Sequence, residues 1–457
     1  MSDTLPGMAK SGLLGVGLTV VALGMASCGG DDDTSQGAGG GTGGDGASGG
    51  DGAGGPAAGR DSVAGASTTS GTSSGGGSDA AGMTNAGGVS ASGAGGAPDS
   101  AGCMLVPGWE VVDDYAYTEG VQSNVASIAA DKDGNVYAVG LGRAGQNQLV
   151  GVVRRSLNAG VNWTNGDWDT ARPSVLPNDA AVDDDGNVFV TAGTSTGSVF
   201  KSVNHGMSFE KVFDIPTTPA AAPCSTGFVA TGPSGVVVAG GSCDDDGWTV
   251  HKSVNGGETW APAFTFLLAP GKSARLHDVG VGPDGTAYAS GYGVDASDKI
   301  HWLVVREGAG TGVISDQFQL EAGQPARAFG FATRGAPTVT GSAADADGTH
   351  GVVRHMTAPD TWKTLDVFAT RGADVEAVGP HLVVTGQLED PTVHAMTRQS
   401  DDGGTVWADS VQYEYAAAQP AFVGALTVDG TGAFYSVISA RDQDAIPHWI
   451  VRKLACE

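Results

Sequence analysis

The sequence predicts an all-β fold: a seven-bladed β-propeller whose last blade is closed by the N-terminal strand of the domain, preceded by a disordered glycine-rich tether. Three observations predict it. A strand-and-turn unit recurs along residues 102–457. No stretch there sustains a helical period, while β-branched and small residues alternate throughout. The two ends of this region are also complementary, one lacking the strand that the other carries in excess.

The repeat is visible first as a hairpin strand, Asn135–Gly140 and Asn187–Ala192, which returns at Val236–Gly240, Thr286–Gly291, Pro337–Gly341, Leu382–Gly386 and Ala433–Ile438. After each copy comes an apolar strand with a base near its end: Arg154, Lys201, Lys252, Arg306, Arg354, Arg398 and Arg452. The six intervals from Arg154 to Arg452 average about 50 residues, the length of a four-stranded blade. In the first blade, strand a lies near Val125–Ala130, strand b at Asn135–Gly140, strand c at Leu149–Arg155, and strand d begins at Trp163. The final strand c, His448–Lys453, has no strand d after it. The first segment, Trp109–Tyr115, reads as a strand d without its blade, and pairing the two closes the ring and covers an open edge.

The cysteines agree with closure. Cys103 precedes the orphan strand and Cys456 follows the last strand c, so a 103–456 disulfide is expected. Cys224 and Cys243 flank a turn centred on Pro233 and Ser234 and are expected to pair across strands a and b of blade 3. Two bridges imply an oxidising compartment; the alternative is buried thiols.

Four c–d connections share one eight-residue pattern, Ser-x-Asp/Asn-x-Gly-x-x-Trp/Phe. It comprises Ser156, Asn158, Gly160 and Trp163; Ser202, Asn204, Gly206 and Phe209; Ser253, Asn255, Gly257 and Trp260; and Ser400, Asp402, Gly404 and Trp407. The Asp/Asn oxygen can accept backbone N–H groups, the glycine supplies a positive φ, and the aromatic folds over the turn. Each part has a structural job. The pattern resembles the Asp-box, the hairpin signature of sialidase-like (BNR-repeat) propellers. The resemblance covers 103–457 and implies fold more than activity, because catalytic and non-catalytic propellers share it.

Residues 1–27 read as a signal peptide: Lys10, an apolar run over Gly12–Gly24, then Met25, Ala26, Ser27 and Cys28. This resembles a bacterial lipoprotein signal, with Met1 or Met8 as the start. The resemblance implies lipidation of Cys28, and Gly29 after it implies the outer membrane or cell surface; the alternative is an ordinary secretory signal. Residues 28–101 are almost entirely Gly, Ala, Ser, Thr and Asp. They cannot bury enough apolar area to offset chain entropy, so a flexible linker is expected.

The chain carries −27. Residues 1–101 hold nine acids and two bases, which leaves 41 acids and 21 bases, a net of −20, for the propeller. That excludes nucleic acid as a partner and docking of the propeller on anionic lipid. Membrane attachment is expected through the lipid alone, and the protein as a monomer. Five b–c loops are acidic, and four precede a histidine: His301, His350, His394 and His448. Carboxylate oxygens suit Ca²⁺, the one ion this composition suggests; no other cofactor is expected.

Sialidases hold a substrate carboxylate with three arginines. Here Arg275, Arg327 and Arg371 stand just before strand a of blades 4, 5 and 6, where three guanidinium groups could grip a carboxylate or sulfate. The resemblance stops there: the family's Arg-Ile-Pro motif is absent, the catalytic members have six blades, and Tyr413, Glu414 and Tyr415 lie in a strand d far from the channel rim. Seven-bladed Asp-box propellers also resemble assembly factors that bind membrane-protein partners, and bacterial surface repeat proteins. The expectation is a surface lipoprotein whose propeller binds a protein or a glycan, with Trp248, Trp302 and Trp449 as exposed aromatic contacts. The alternative is a sialidase-like glycoside hydrolase.

Overall fold

The computed structural model describes residues 108–145, 148–193, 197–216, 227–243, 247–332, 334–389, 392–408 and 411–455. Cys28, Cys103, Cys224 and Cys456, the tether, and the side chain of Cys243 lie outside them.

Seven antiparallel sheets form a seven-bladed β-propeller. Their inner strands, each strand a of its blade, are Ser123–Ala130, Pro177–Val182, Phe228–Thr231, Ala274–Val281, Ala326–Ala332, Arg371–Val378 and Ala421–Val428. Blade 7 takes three strands from the C-terminal end, Ala421–Val428, Phe434–Arg441 and Pro447–Leu454, and its strand d, Glu110–Tyr115, from the other end. The closing register runs from Glu110 opposite Lys453 to Tyr115 opposite Trp449. The ring therefore closes as the complementarity of the ends predicts.

Two details depart from a plain repeat. Gly310–Thr311, in the c–d connection of blade 4, adds a short parallel strand to the outer edge of blade 3. Trp168–Ala171 forms a single helical turn after blade 1 and buries Trp168 completely.

The bases near the end of strand c do two different things, because neighbours on a pleated strand face opposite ways. Arg154, Arg354 and Arg398 turn back to strand d of the preceding blade. Arg354 holds Asp316 through Nε at 2.6 Å and Nη2 at 2.8 Å, and Arg154 holds Asp113 through two contacts of 2.7 Å. Arg398 reaches Asp366 at 2.8 Å. The other set reaches forward to the next c–d turn. Lys453 donates to Ala159 O, Arg155 to His205 O and Lys201 to Gly256 O, at 3.1, 2.8 and 2.7 Å.

Trp248, Trp302 and Trp449 are fully buried, contrary to their expected exposure. Each packs on the aromatic opposite it in strand d: Phe266, Phe318 and Tyr115, at centroid distances of 5.4, 6.0 and 5.7 Å. The indoles of Trp248 and Trp302 also press on the next blade at Gly291 and Gly341, where a Cβ would lie 2.8 and 2.6 Å from the rings. Proximity to the b–c loops suggested a surface position; the pleat points these side chains into the seams between blades instead.

Candidate functional site

The inner strands enclose a channel cavity of about 240 Å³. Four carboxyls line it: Glu376 of blade 6 and a trio of aspartates, Asp179, Asp278 and Asp374, on blades 2, 4 and 6. Each aspartate follows a register shift in its strand, after Pro177, Leu276 and Gly372. Each also reaches across to the following blade. Asp179 accepts from the amides of Ala180 and Val229, Asp278 from Val279 and Phe331, and Asp374 from Val375 and Leu426, at 2.6–2.9 Å. Ser127 of blade 1 donates to Asp179 at 2.7 Å. With both oxygens of each carboxyl engaged, the trio staples blades together rather than presenting an acid and a base to a substrate.

Their electrostatics are unusual. Depth in the ring, more than any partner, raises all three; for Asp278, repulsion from Asp179 and Asp374 adds to burial and carries it well above the carboxylate range. Asp374 is pushed up to about 8 by burial and by Glu376, which is itself raised to about 7 by burial against the opposing pull of Arg334. His277, also in the lining, places Nδ1 2.7 Å from Ala328 O, and its ring lies tilted by 30° against that of Phe329 at a centroid distance of 4.8 Å. Sequence reasoning missed these groups. They lie in the repeats of blades 2, 4 and 6, but no local motif sets them apart from the acids elsewhere in the chain.

The three arginines occupy equivalent positions on successive blades. Arg275 lies opposite Tyr292, Arg327 opposite Ser342 and Arg371 opposite Gln387. They sit within the first two residues of strand a, rather than before it, and none is part of the cavity lining. Arg275 and Arg327 are half-buried, and Arg371 is exposed. Arg327 stands 5.2 Å over the Tyr292 ring, with a buried Nε that has no acceptor.

On the b–c face, the acids cap their own loops. Asp295 accepts from the amides of Ser297 and Lys299, and Asp442 from Asp444 and Ile446. The histidines close the same loops: His301 meets Asp295 at 2.9 Å, His350 meets Asp345 at 2.9 Å, and His448 lies between Asp114 and Asp442. His394 faces Glu414 at 3.2 Å. Among the described residues, no group of three or more His, Cys, Asp or Glu side chains is arranged to hold a metal ion.

On the opposite face lie the four eight-residue turns. In the first, Ser156 Oγ accepts the Gly160 amide at 2.9 Å and Asn158 Oδ1 accepts the Asn162 amide at 2.8 Å. Trp163 Nε1 donates to Gly160 O at 3.1 Å, and φ is positive at both Ala159 and Gly160, 56° and 87°. The serine and Asp/Asn bonds recur in the turns of Ser202, Ser253 and Ser400, and the indole bond recurs at Trp260 and Trp407. The remaining positions face solvent. In blades 1–3 they carry Leu157, Val161, Val203, Met207 and Val254, which are 49, 75, 74, 46 and 67% exposed.

No protein-family model matches the chain, and neither does any curated protein. Solved structures do match in fold. YCF48 from Cyanidioschyzon merolae is 14% identical, with a TM-score of 0.46 over 76% of this chain and 98% of its own. An ulvan lyase of polysaccharide lyase family PL25 is 13% identical, with a TM-score of 0.49 over 74% and 96%. The Hadza microbial sialidase Hz136 is 16% identical, with a TM-score of 0.40 over 72% and 65%. These likenesses concern the ring of blades and do not bear on activity.

Proposed function

We propose that this chain is a bacterial surface lipoprotein of the Asp-box type, anchored through Cys28, whose propeller binds a protein partner. The observation that supports a protein partner is the set of aliphatic side chains on the c–d turns of three consecutive blades. Clustered exposed apolar residues mark association surfaces, whereas single ones do not. A glycan platform would need exposed aromatics, and the three tryptophans expected to supply one are buried.

The test uses intact cells. A photo-crosslinking amino acid at Val203 should yield one discrete adduct with another protein, absent when the probe is placed at Val367 on the outer strand of blade 5. Absence of an adduct at Val203 would refute the reading. Cys28→Ser should release the protein from the membrane fraction; retention would refute the anchor.

A second reading is favoured by one observation, the unsatisfied Nε of Arg327 beside equivalent arginines on the neighbouring blades. It is an acidic glycan gripped by Arg275, Arg327 and Arg371, bound or hydrolysed. Glycan-array binding that Arg327→Ala abolishes, run with calcium and with chelator, would move the assignment there.

A further inference from the structure

The aliphatic turns do not stand alone on their face. In each of the first three blades, the c–d turn rests against the a–b turn nearer the axis. A Cβ on Gly134 would lie 3.7 Å from Ala159, one on Gly186 would lie 3.6 Å from His205, and Gly256 N donates to Gly235 O at 2.8 Å. The a–b turns of blades 1 and 2 are acidic at their surface, while that of blade 3, Gly232–Gly235, carries no acid. Asp131 and Asp183 are buried and spent as caps on the amides at 133 and 135, and at 185 and 187. Their neighbours Asp133, Asp184 and Asp185 are exposed, as is Glu258 in the third c–d turn. Lys132 is the one exposed Lys or Arg in these six turns, and it pairs with Asp133 at 2.8 Å. The face therefore has an inner arc that is acidic over blades 1 and 2 and an outer arc that is apolar apart from Glu258.

The turn itself does not require the apolar residues. Blade 6 builds the same turn with the same bonds, yet it carries Asp401 and Thr405 where blade 1 has Leu157 and Val161 and blade 2 has Val203 and Met207; its single exposed aliphatic, Val406, stands where blades 1–3 have Asn162, Ser208 and Thr259. Only the serine, the Asp/Asn, the glycine and the aromatic serve the turn. Met207 meets Arg155 Nη2 of blade 1 through its sulfur at 3.6 Å, but Leu157, Val161 and Val203 serve no bond of the turn and answer to something outside the propeller. The bases that reach forward from strand c lock these turns in place, since Arg155 Nη1 holds His205 O and Lys201 holds Gly256 O. A rigid apolar arc loses little entropy on docking.

We infer that this face, on the a–b and c–d turns of blades 1–3, receives a basic amphipathic segment of the partner protein, its apolar side chains on the outer arc and its Lys or Arg side chains on the acidic inner arc. This rests on the protein-binding reading and names the chemistry of the partner. Charge selects this occupant. A second copy would bring the same acidic arc against itself, and a membrane would bring anionic headgroups. The chain's own residues 29–101 hold eight acids and one base, with no aromatic residue, so they match neither arc.

The test measures binding of the full chain to two labelled helical peptides of about 18 residues, roughly five turns. One alternates Leu and Lys faces; the other has the same Leu face with Glu in place of Lys. The Lys peptide should bind and the Glu peptide should not. Val161→Ser with Val203→Ser should weaken binding about tenfold through lost apolar burial. Asp184→Asn with Asp185→Asn should weaken it and reduce its salt dependence, and Val367→Ser should leave it unchanged. These positions are exposed, so unaltered thermal unfolding should accompany each change. Equal binding of both peptides, binding of neither, or indifference to the Val161 and Val203 changes would each overturn the inference. A Val203 crosslink in cells alongside any such result would leave the protein-binding reading standing; loss of the crosslink would remove both.

Discussion

Asp374→Asn separates the two roles of the channel carboxyls. Burial and Glu376 raise Asp374 from 3.8 to about 8, a rise of about four units, and each unit corresponds to about 1.4 kcal/mol between protonation states. The folded form therefore prefers the neutral acid. That preference contributes stability in full below pH 3.8, and the contribution is lost as pH rises through about 8. Near pH 8.5 the native state carries a disfavoured charge worth on the order of several kcal/mol, an upper bound because Glu376 titrates alongside. Asparagine removes the charge at every pH. It keeps one oxygen for the Leu426 amide and turns its NH₂ toward the Val375 amide, costing about 1 kcal/mol for one lost hydrogen bond. The variant should thus be slightly less stable than the parent near pH 3.5, where the native preference for the neutral acid counts in full, and more stable at pH 8.5, with the denaturation curves crossing between. Urea midpoints of both proteins across that range measure it. Equal destabilisation at both ends would show that the native carboxyl is comfortably ionised and would refute the reasoning.

Three further outcomes are expected. Arg354→Ala strands Asp316 in the seam between blades 4 and 5 and should cost about 3–5 kcal/mol, read as a lowered denaturation midpoint; a change under about 1 kcal/mol would count against the buried pair. Ser202→Ala removes the acceptor of the Gly206 amide and should cost about 1 kcal/mol, with faster exchange of that amide as the local readout. Asp295 is drawn down to about 2, chiefly by the Lys299 amide and then by His301, so its stabilising effect is present above the ordinary carboxylate range and lost as pH falls through about 2; in a carboxyl NMR titration, His301→Ala should shift Asp295 upward, and an unmoved titration would mean the clasp does not form in solution.

The ring was legible because its signals are local and repeated: a hairpin strand, a turn whose residues satisfy one another, and ends that complete one blade. The channel was not, because nothing in the sequence around Asp179, Asp278 and Asp374 marks the strand offset that turns them inward. They lie in the repeats of blades 2, 4 and 6, and only the offset shows what they share. The tryptophans were misjudged for a related reason. Trp302 is the third residue of its strand, where the loop suggests exposure and the pleat dictates burial. The strand-c bases were legible as a series, yet Arg154 and Arg155 show why their partners were not. Adjacent in sequence, they grip different blades: Asp113 of blade 7 and the His205 carbonyl of blade 2.

An odd number of blades explains the spacing of the channel carboxyls. Charges placed on every second blade of a seven-membered ring can occupy three blades, leaving one pair of neighbours, blades 7 and 1, without any. That is where the strand from the N-terminal side joins the ring, and the inner strands there are tied by neutral groups. Val125 N donates to Ser439 Oγ at 3.2 Å and Ala130 N to Thr427 Oγ1 at 3.1 Å, while Ser127 Oγ donates a hydrogen bond to Asp179. A further carboxyl at Ser127 would stand beside Asp179 on the next blade, where repulsion already adds to the rise of Asp278 from two blades away. The closing seam is thus held by hydroxyls because the other positions have used the charge that the channel tolerates.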